Sequence, residues 1–238
     1  MEMSCAFCRF GSSFVIVLVA FGVAPLASHA ANFLAPDQID LRAALPPPPA
    51  ADSTTTRAEL ETLVQLERSR TPAQTEFARN PPTGDVFAFA GEVLGPWFAK
   101  EKLPATAALF ARIDDDGRAL ASAAKAVYAE RPRPWLADAR LVAPTSRPGG
   151  STYPSGAGYN TGVWVGLLAT LFPDQAEALR ERARLVCWSR ILAGVHYPTD
   201  NVAGLLLGDA VAKKLLALPD FQAGFAAVRA ELAQRRPR

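Results

Sequence analysis

Pro198-Thr199-Asp200-Asn201-Val202-Ala203-Gly204-Leu205-Leu206-Leu207-Gly208-Asp209-Ala210-Val211 is the stretch on which the fold turns. A proline at the first position of a helix lacks only a donor that the helix leaves unpaired anyway, so Pro198 opens a helix that the apolar run carries to Leu216. Lys213 and Lys214 fall in its last turn, where the helix dipole favours cations. A helix that is apolar on nearly every side cannot face water, so this one is expected in the middle of a bundle.

Outward from it the pattern stays helical. Gly156 to Leu171 and Asp174 to Ala193 precede it, and Phe221 to Gln234 follows as an amphipathic helix. Upstream, Leu60, Leu63, Val64 and Leu66 give an apolar stripe from Thr54 to about Arg70, which Asn80-Pro81-Pro82-Thr83-Gly84 breaks. Asp85 to Phe98 and Ala105 to Ile113 are short helix candidates. Asp114-Asp115-Asp116-Gly117 lacks the other ligands of a calcium loop and reads as acidic capping of a helix from about Gly117 to Glu130. Arg131 to Tyr153 is a long loop rich in proline, glycine and arginine. No strand-period pattern and no internal repeat is present, so the expected fold is all-α, a single helical bundle.

Residues 1–30 read as a secretory leader: Arg9 near the start, an apolar run from Phe14 to Ala27, then Ser28-His29-Ala30 ahead of Ala31. Cleavage near Ala30/Ala31 would place the mature chain in the periplasm or outside the cell. The apolar run is too short and too interrupted for a membrane span, so no stable membrane insertion is expected. Residues 31–53 contain Leu45-Pro46-Pro47-Pro48-Pro49-Ala50, whose prolines fix φ and remove donors, and read as an extended arm on the surface of the bundle. Residues 54–238 form the helical domain.

Composition narrows the chemistry. A formal charge of +2 without a basic tract makes nucleic acid a poor partner. Of three cysteines, Cys5 and Cys8 lie in the leader, so Cys187 has no disulfide partner and reads as a small buried hydrophobe. Of two histidines, His29 lies in the leader, and His196 alone cannot make a His-rich zinc site.

His196 belongs to Ser189-Arg190-Ile191-Leu192-Ala193-Gly194-Val195-His196-Tyr197-Pro198-Thr199-Asp200. Asp200, in the first turn of the helix that Pro198 opens, is within reach of the imidazole. A carboxylate there accepts from Nδ1–H and leaves Nε2 free as a nucleophile. Arg190 returns to the same place across the Gly194 turn. In Tyr153-Pro154-Ser155-Gly156-Ala157, Ser155 is a good N-cap, Gly156 allows close backbone approach, and the free amides of that turn suit an anion. In Lys125 with Arg131-Pro132-Arg133-Pro134-Trp135, prolines stiffen a loop whose guanidinium groups suit bidentate contact with a phosphate-like anion. Taken singly, the last two read first as a plain capped helix start and a solvated basic loop.

Together and in this order the three elements resemble the phosphatidic acid phosphatase type 2 superfamily, most closely its periplasmic branch, the class A bacterial non-specific acid phosphatases. That family carries a lysine followed by Arg-Pro, then Pro-Ser-Gly-His, then Ser-Arg-x5-His-x3-Asp. Ser189, Arg190, His196 and Asp200 match the third motif, Pro154, Ser155 and Gly156 the second, and the likeness runs from about Phe33 to Ala217. The resemblance implies hydrolysis of phosphate monoesters without a cofactor or a metal. His196 would form a phosphohistidine, Asp200 would orient it, and Lys125, Arg133, Arg190, Ser155 and Gly156 would hold the phosphate. The implied partner is a small phosphorylated substrate or inorganic phosphate; homo-oligomerisation stays open.

Two departures qualify the likeness. Arg133-Pro134 aligns with the family because Trp135 follows, with Arg131-Pro132 as the alternative. Lys125 is then one residue out of register, about 100° of rotation on a helix. Ala157 stands where the family has the histidine implied to protonate the leaving group and activate water. A degenerate phosphate-binding relative and, third, a vanadate-dependent haloperoxidase are the competing expectations.

Overall fold

The helix over Pro198–Leu216 is present with those bounds, and its position against one neighbour organises the molecule. The computed structural model describes residues 32–81, 84–142 and 148–237, so the expected leader lies outside the described residues. These contain ten α-helices and no strand: α1 Leu41–Ala44, α2 Thr54–Ser69, α3 Pro72–Arg79, α4 Val86–Leu94, α5 Pro104–Lys125, α6 Pro134–Ala137, α7 Gly156–Leu171, α8 Ala176–Leu192, α9 Pro198–Leu216 and α10 Pro219–Arg235. The fold is all-α, as expected.

α7 and α9 lie together with their backbones in contact. A Cβ built on Gly158 would come within 2.8 Å of the Asn201 carbonyl oxygen, and one on Gly162 within 2.8 Å of the Leu205 carbonyl oxygen. A Cβ on Gly204 or Gly208 would run into the carbonyls of Ser155 and Tyr159. The partners ascend together along both helices, so α7 and α9 run parallel and start side by side. Where they start, the Ser155 amide donates to the Asp200 carbonyl at 2.9 Å. α5 and α8 bring their C-terminal ends, Lys125 and Arg190, to this place.

Phe89, Phe110, Trp164, Phe221 and Phe225 are fully buried in the main core. Burial of apolar surface on this scale, at about 25 cal/mol per Å², is the main force holding the helices together.

Several expectations are corrected. α9 is not buried all round: Val202 is 55 % and Leu206 49 % exposed. Its apolar sequence serves a one-sided, glycine-mediated contact with α7. α5 runs unbroken through the acidic cluster, because each carboxylate finds another partner. Asp114 accepts from the Trp164 indole at 3.0 Å, Asp116 accepts from the Phe33 amide at 2.7 Å, and Asp115 pairs with Arg118. The 31–53 segment is not a surface arm throughout. Leu34 and Leu45 are fully buried, residues 36–38 and 41–44 are helical turns, and the Tyr128 hydroxyl donates to the Leu45 carbonyl at 2.7 Å. α3 adds a helix between the expected stripe and the proline break, capped by Thr71, whose hydroxyl accepts from the Gln74 amide at 3.2 Å.

Candidate active site

His196 sits in the short connection between α8 and α9, 7 % exposed, after a turn that Gly194 makes with φ +66°. Glycine suits that left-handed position because it has no Cβ to clash. Tyr197, the N-cap of α9, and Pro198 follow, so the ring is fixed between two helix ends. Its Nε2 lies 3.2 Å from Arg133 Nη1. A guanidinium only donates, so Nε2 accepts and is unprotonated, which puts the ring proton on Nδ1.

The Nδ1 side is fully closed. Asp200 Oδ2 is 3.3 Å from Nδ1, and the Thr152 hydroxyl is closer, 3.0 Å from Nδ1 and 2.7 Å from the same carboxylate oxygen. The Asp200 carboxylate is completely buried and also accepts from Arg131 Nη1 at 2.6 Å and from the Tyr197 amide at 2.9 Å. Burial alone would raise its pKa. Hydrogen bonds from His196 and Thr152, with the charge of Arg131, overcome that and hold it below the usual carboxylate value. Burial lowers the pKa of His196, and the cations Arg133 and Arg190 oppose its protonation while Asp200 favours it.

The two candidate arginines separate. Arg131 lies behind Asp200, stacked 3.8 Å over the Tyr197 ring, with Nη2 on Glu59 at 2.9 Å and Nη1 on the Thr199 hydroxyl at 2.9 Å. Glu59 also accepts from the Thr199 amide at 2.7 Å, so α2 is tied to the first turn of α9. Arg133 is the one beside His196. It donates to the Val195 carbonyl at 2.9 Å, and its buried Nε has no partner among the described residues.

Lys125 and Arg190 make no side-chain hydrogen bond or ion pair among the described residues. Burial lowers both pKa values, and the nearby charge of Arg133 lowers that of Lys125 further. The register problem at Lys125 resolves because α5 ends there and the chain onward to Arg133 is not helical. Ser155 caps α7, its hydroxyl accepting from the Gly158 amide at 3.2 Å. The amides of Gly156 and Ala157 have no partner among the described residues, and nothing lies within 4 Å of a Cβ built on Gly156.

Two parallel helix N-termini, the cations Arg133, Arg190 and Lys125, none of them in a salt bridge among the described residues, and an imidazole with an unprotonated Nε2 thus meet at one end of the bundle. Residues 107–222 match the PAP2 superfamily model. No curated protein matches the chain. The PAP2 match takes in Lys125, Arg131, Arg133, Thr152, Ser155, Arg190, His196 and Asp200 but not Glu59, which reaches the site from α2 outside it.

Thr152 and Glu59 are not marked by the sequence as parts of the site, and Arg131, the alternative phosphate ligand there, pairs with Glu59 and Asp200 instead. The one signal for Thr152 was a hydroxyl residue three positions before the N-cap Ser155. Cys187 is buried and its thiol is pushed up to about 12 by that burial, which leaves it inert as a nucleophile. Among the described residues, no group of three His, Cys, Asp or Glu side chains is placed to hold a metal ion, and no helix is long and apolar enough to cross a membrane.

Proposed function

We propose that the protein is a periplasmic or secreted acid phosphatase that hydrolyses phosphate monoesters without a metal, through a phosphohistidine on His196. The observation that carries this reading is the contact of Arg133 Nη1 with His196 Nε2 at 3.2 Å. It supports the tautomer with Nε2 unprotonated and a cation beside the atom that would attack. The PAP2 match supports phosphatase-like chemistry in general.

The Nε2 lone pair attacks phosphorus, the bond to the leaving oxygen breaks, and the Nδ1 proton stays on the Thr152–Asp200 side, where the carboxylate balances the new positive charge. Arg133, Arg190 and Lys125, with the Gly156 and Ala157 amides, stabilise the charge spread over the equatorial oxygens. Water then attacks phosphorus and the P–N bond breaks. Burial keeps His196 neutral below its ordinary pKa, which suits work in acid.

Quenching a reaction with labelled p-nitrophenyl phosphate in alkali, where a P–N bond survives, and mapping the label at alkaline pH tests the reading. Label on His196, lost in His196→Ala, is expected; turnover of His196→Ala close to wild type would overturn it. A relative that binds phosphate without turnover is the second reading, favoured by the methyl of Ala157. Titration with inorganic phosphate that shows binding, with no label from any phosphate ester, would select it.

A further inference from the structure

An alkoxide is about as basic as hydroxide, and it leaves phosphorus slowly at neutral pH unless something protonates it. The groups around His196 bear on whether anything can. Among the described residues, Asp200 is the carboxylate in contact with the imidazole; it lies on the Nδ1 side, its pKa is held low, and it is enclosed by Arg131, Thr152 and Tyr197. Glu59 is turned towards Arg131 and the Thr199 amide.

The tyrosines are no better placed. The Tyr153 hydroxyl donates to the Pro46 carbonyl. The Tyr159 hydroxyl lies against Gly117 of α5, beside Asp114 and Asp116, and burial raises its pKa. Tyr197 is stacked under Arg131. On the Nε2 side stands Arg133, with the charges of Arg190 and Lys125 close to it, and Ala157 occupies the first turn of α7, which Ser155 caps. Guanidinium groups do not give up protons in proteins. Among the described residues this side therefore offers three positive charges and no neutral acid.

We infer that the site takes phosphoryl donors whose leaving group departs as a stable anion, such as phosphoanhydrides, acyl phosphates and aryl phosphates, and that the phosphoenzyme then accumulates. This rests on the phosphohistidine reading. In the first step the N–P bond forms, the P–O bond breaks, and the electron pair stays on a phosphate, carboxylate or phenolate oxygen beside the three cations, so no proton is needed. In the second step water supplies the oxygen, the P–N bond breaks, Nε2 recovers its pair and the protons of water pass to solvent. Among the described residues no carboxylate or second imidazole lies on that side to activate the water, so the second step is the slower one.

Quenched-flow and steady-state rates of the full chain on p-nitrophenyl phosphate, phenyl phosphate, acetyl phosphate, inorganic pyrophosphate and glycerol 3-phosphate test this. The expectation is a burst of about one nitrophenolate per protein. Labelling of His196 by the glycerol ester should be slower than by the nitrophenyl ester by about 10²- to 10⁴-fold, the usual contribution of a general acid. Labelling of His196 by both esters at similar rates would overturn the inference and leave the phosphohistidine reading standing, with Lys125→Met then showing whether that ammonium is the donor. A full-rate steady state without a burst would overturn the accumulation. No label on His196 from any of the five donors would overturn the phosphohistidine reading and the inference with it.

Discussion

The Thr152 hydroxyl stands between His196 and Asp200, with its oxygen 3.0 Å from His196 Nδ1 and 2.7 Å from Asp200 Oδ2, against 3.3 Å for the direct contact of the two. The carboxylate only accepts, so Thr152 donates to it and in turn accepts from Nδ1–H. The imidazole is oriented through a hydroxyl as much as by the carboxylate itself.

Thr152→Val keeps the shape and removes that link. We expect the phosphorylation rate to fall about tenfold, the worth of one buried hydrogen bond, and Thr152→Ser to restore it. In the valine variant Nδ1–H turns to Asp200 directly, the imidazolium gains stability, and the acid limb of the pH–rate profile moves up. A valine variant with the wild-type profile would reduce Thr152 to packing.

The two arginines of the 131–133 segment should behave oppositely. Arg131 closes a buried ion pair with Asp200 and Glu59, and removing one partner of such a pair costs about 3–5 kcal/mol. Arg131→Met should therefore lower the urea midpoint sharply. Arg133→Met relieves repulsion among unpaired cations, so stability should hold or rise while phosphate affinity collapses. Equal destabilisation by both would contradict the separation.

The glycine seam gives a third test. Gly208→Ala forces a methyl into the Tyr159 carbonyl, and overpacking of this kind costs about 1–3 kcal/mol. The two helix N-termini should part, so activity falls with stability. Gly156→Ala, which meets nothing within 4 Å, should leave the thermal midpoint unchanged. Tolerance of both substitutions would mean that the seam is looser than it stands.

Burial sets the sign of the pH dependence at His196. Its native pKa is below the unfolded value of about 6.5, so as pH falls the unfolded chain takes up the proton first. Stability contributed by the neutral ring is full above about pH 6.5 and is lost as pH drops towards the native value. Asp200, also lowered, keeps its contribution further down and loses it only as pH falls through its own native value. Urea midpoints between pH 7 and 5 should fall in wild type and flatten in His196→Gln. An imidazole resonance titrating above the ordinary value would reverse the argument.

Much of this architecture was legible where the signals are local. Ser155 and Pro198 announce the starts of α7 and α9, and His196, Asp200, Arg190 and Arg133 lie in short motifs whose chemistry can be read residue by residue. The contacts made at long range were not legible. Asp114 and Asp116 looked like a cap because their partners, Trp164 and the Phe33 amide, are 50 and 83 positions away. Arg131 could not be told from Arg133 without Glu59, which is 72 positions away on α2. The small residues Gly158, Gly162 and Gly166 recur every fourth position, as do Gly204, Gly208 and Ala212, and that spacing was the overlooked sign of helices in backbone contact.

Ala157 carries the last prediction. It lies in the first turn of α7, where the Gly156 and Ala157 amides have no partner among the described residues, and is half-buried with one side against the core, so a larger side chain there has the open side of that turn to enter. An imidazole at this place would add a proton donor other than the Lys125 ammonium, which the described residues of the Nε2 side do not offer. Ala157→His should accelerate labelling of His196 by glycerol 3-phosphate far more than by p-nitrophenyl phosphate, because only the alkoxide needs the proton. The same ring, neutral after giving up its proton, should speed attack by water and shrink the nitrophenolate burst. Ala157→Gln, similar in bulk and unable to transfer a proton at this pH, separates the chemistry from the packing. If both variants change the two esters by the same factor, the new side chain is only reshaping the pocket, and proton transfer at position 157 is not what limits this site.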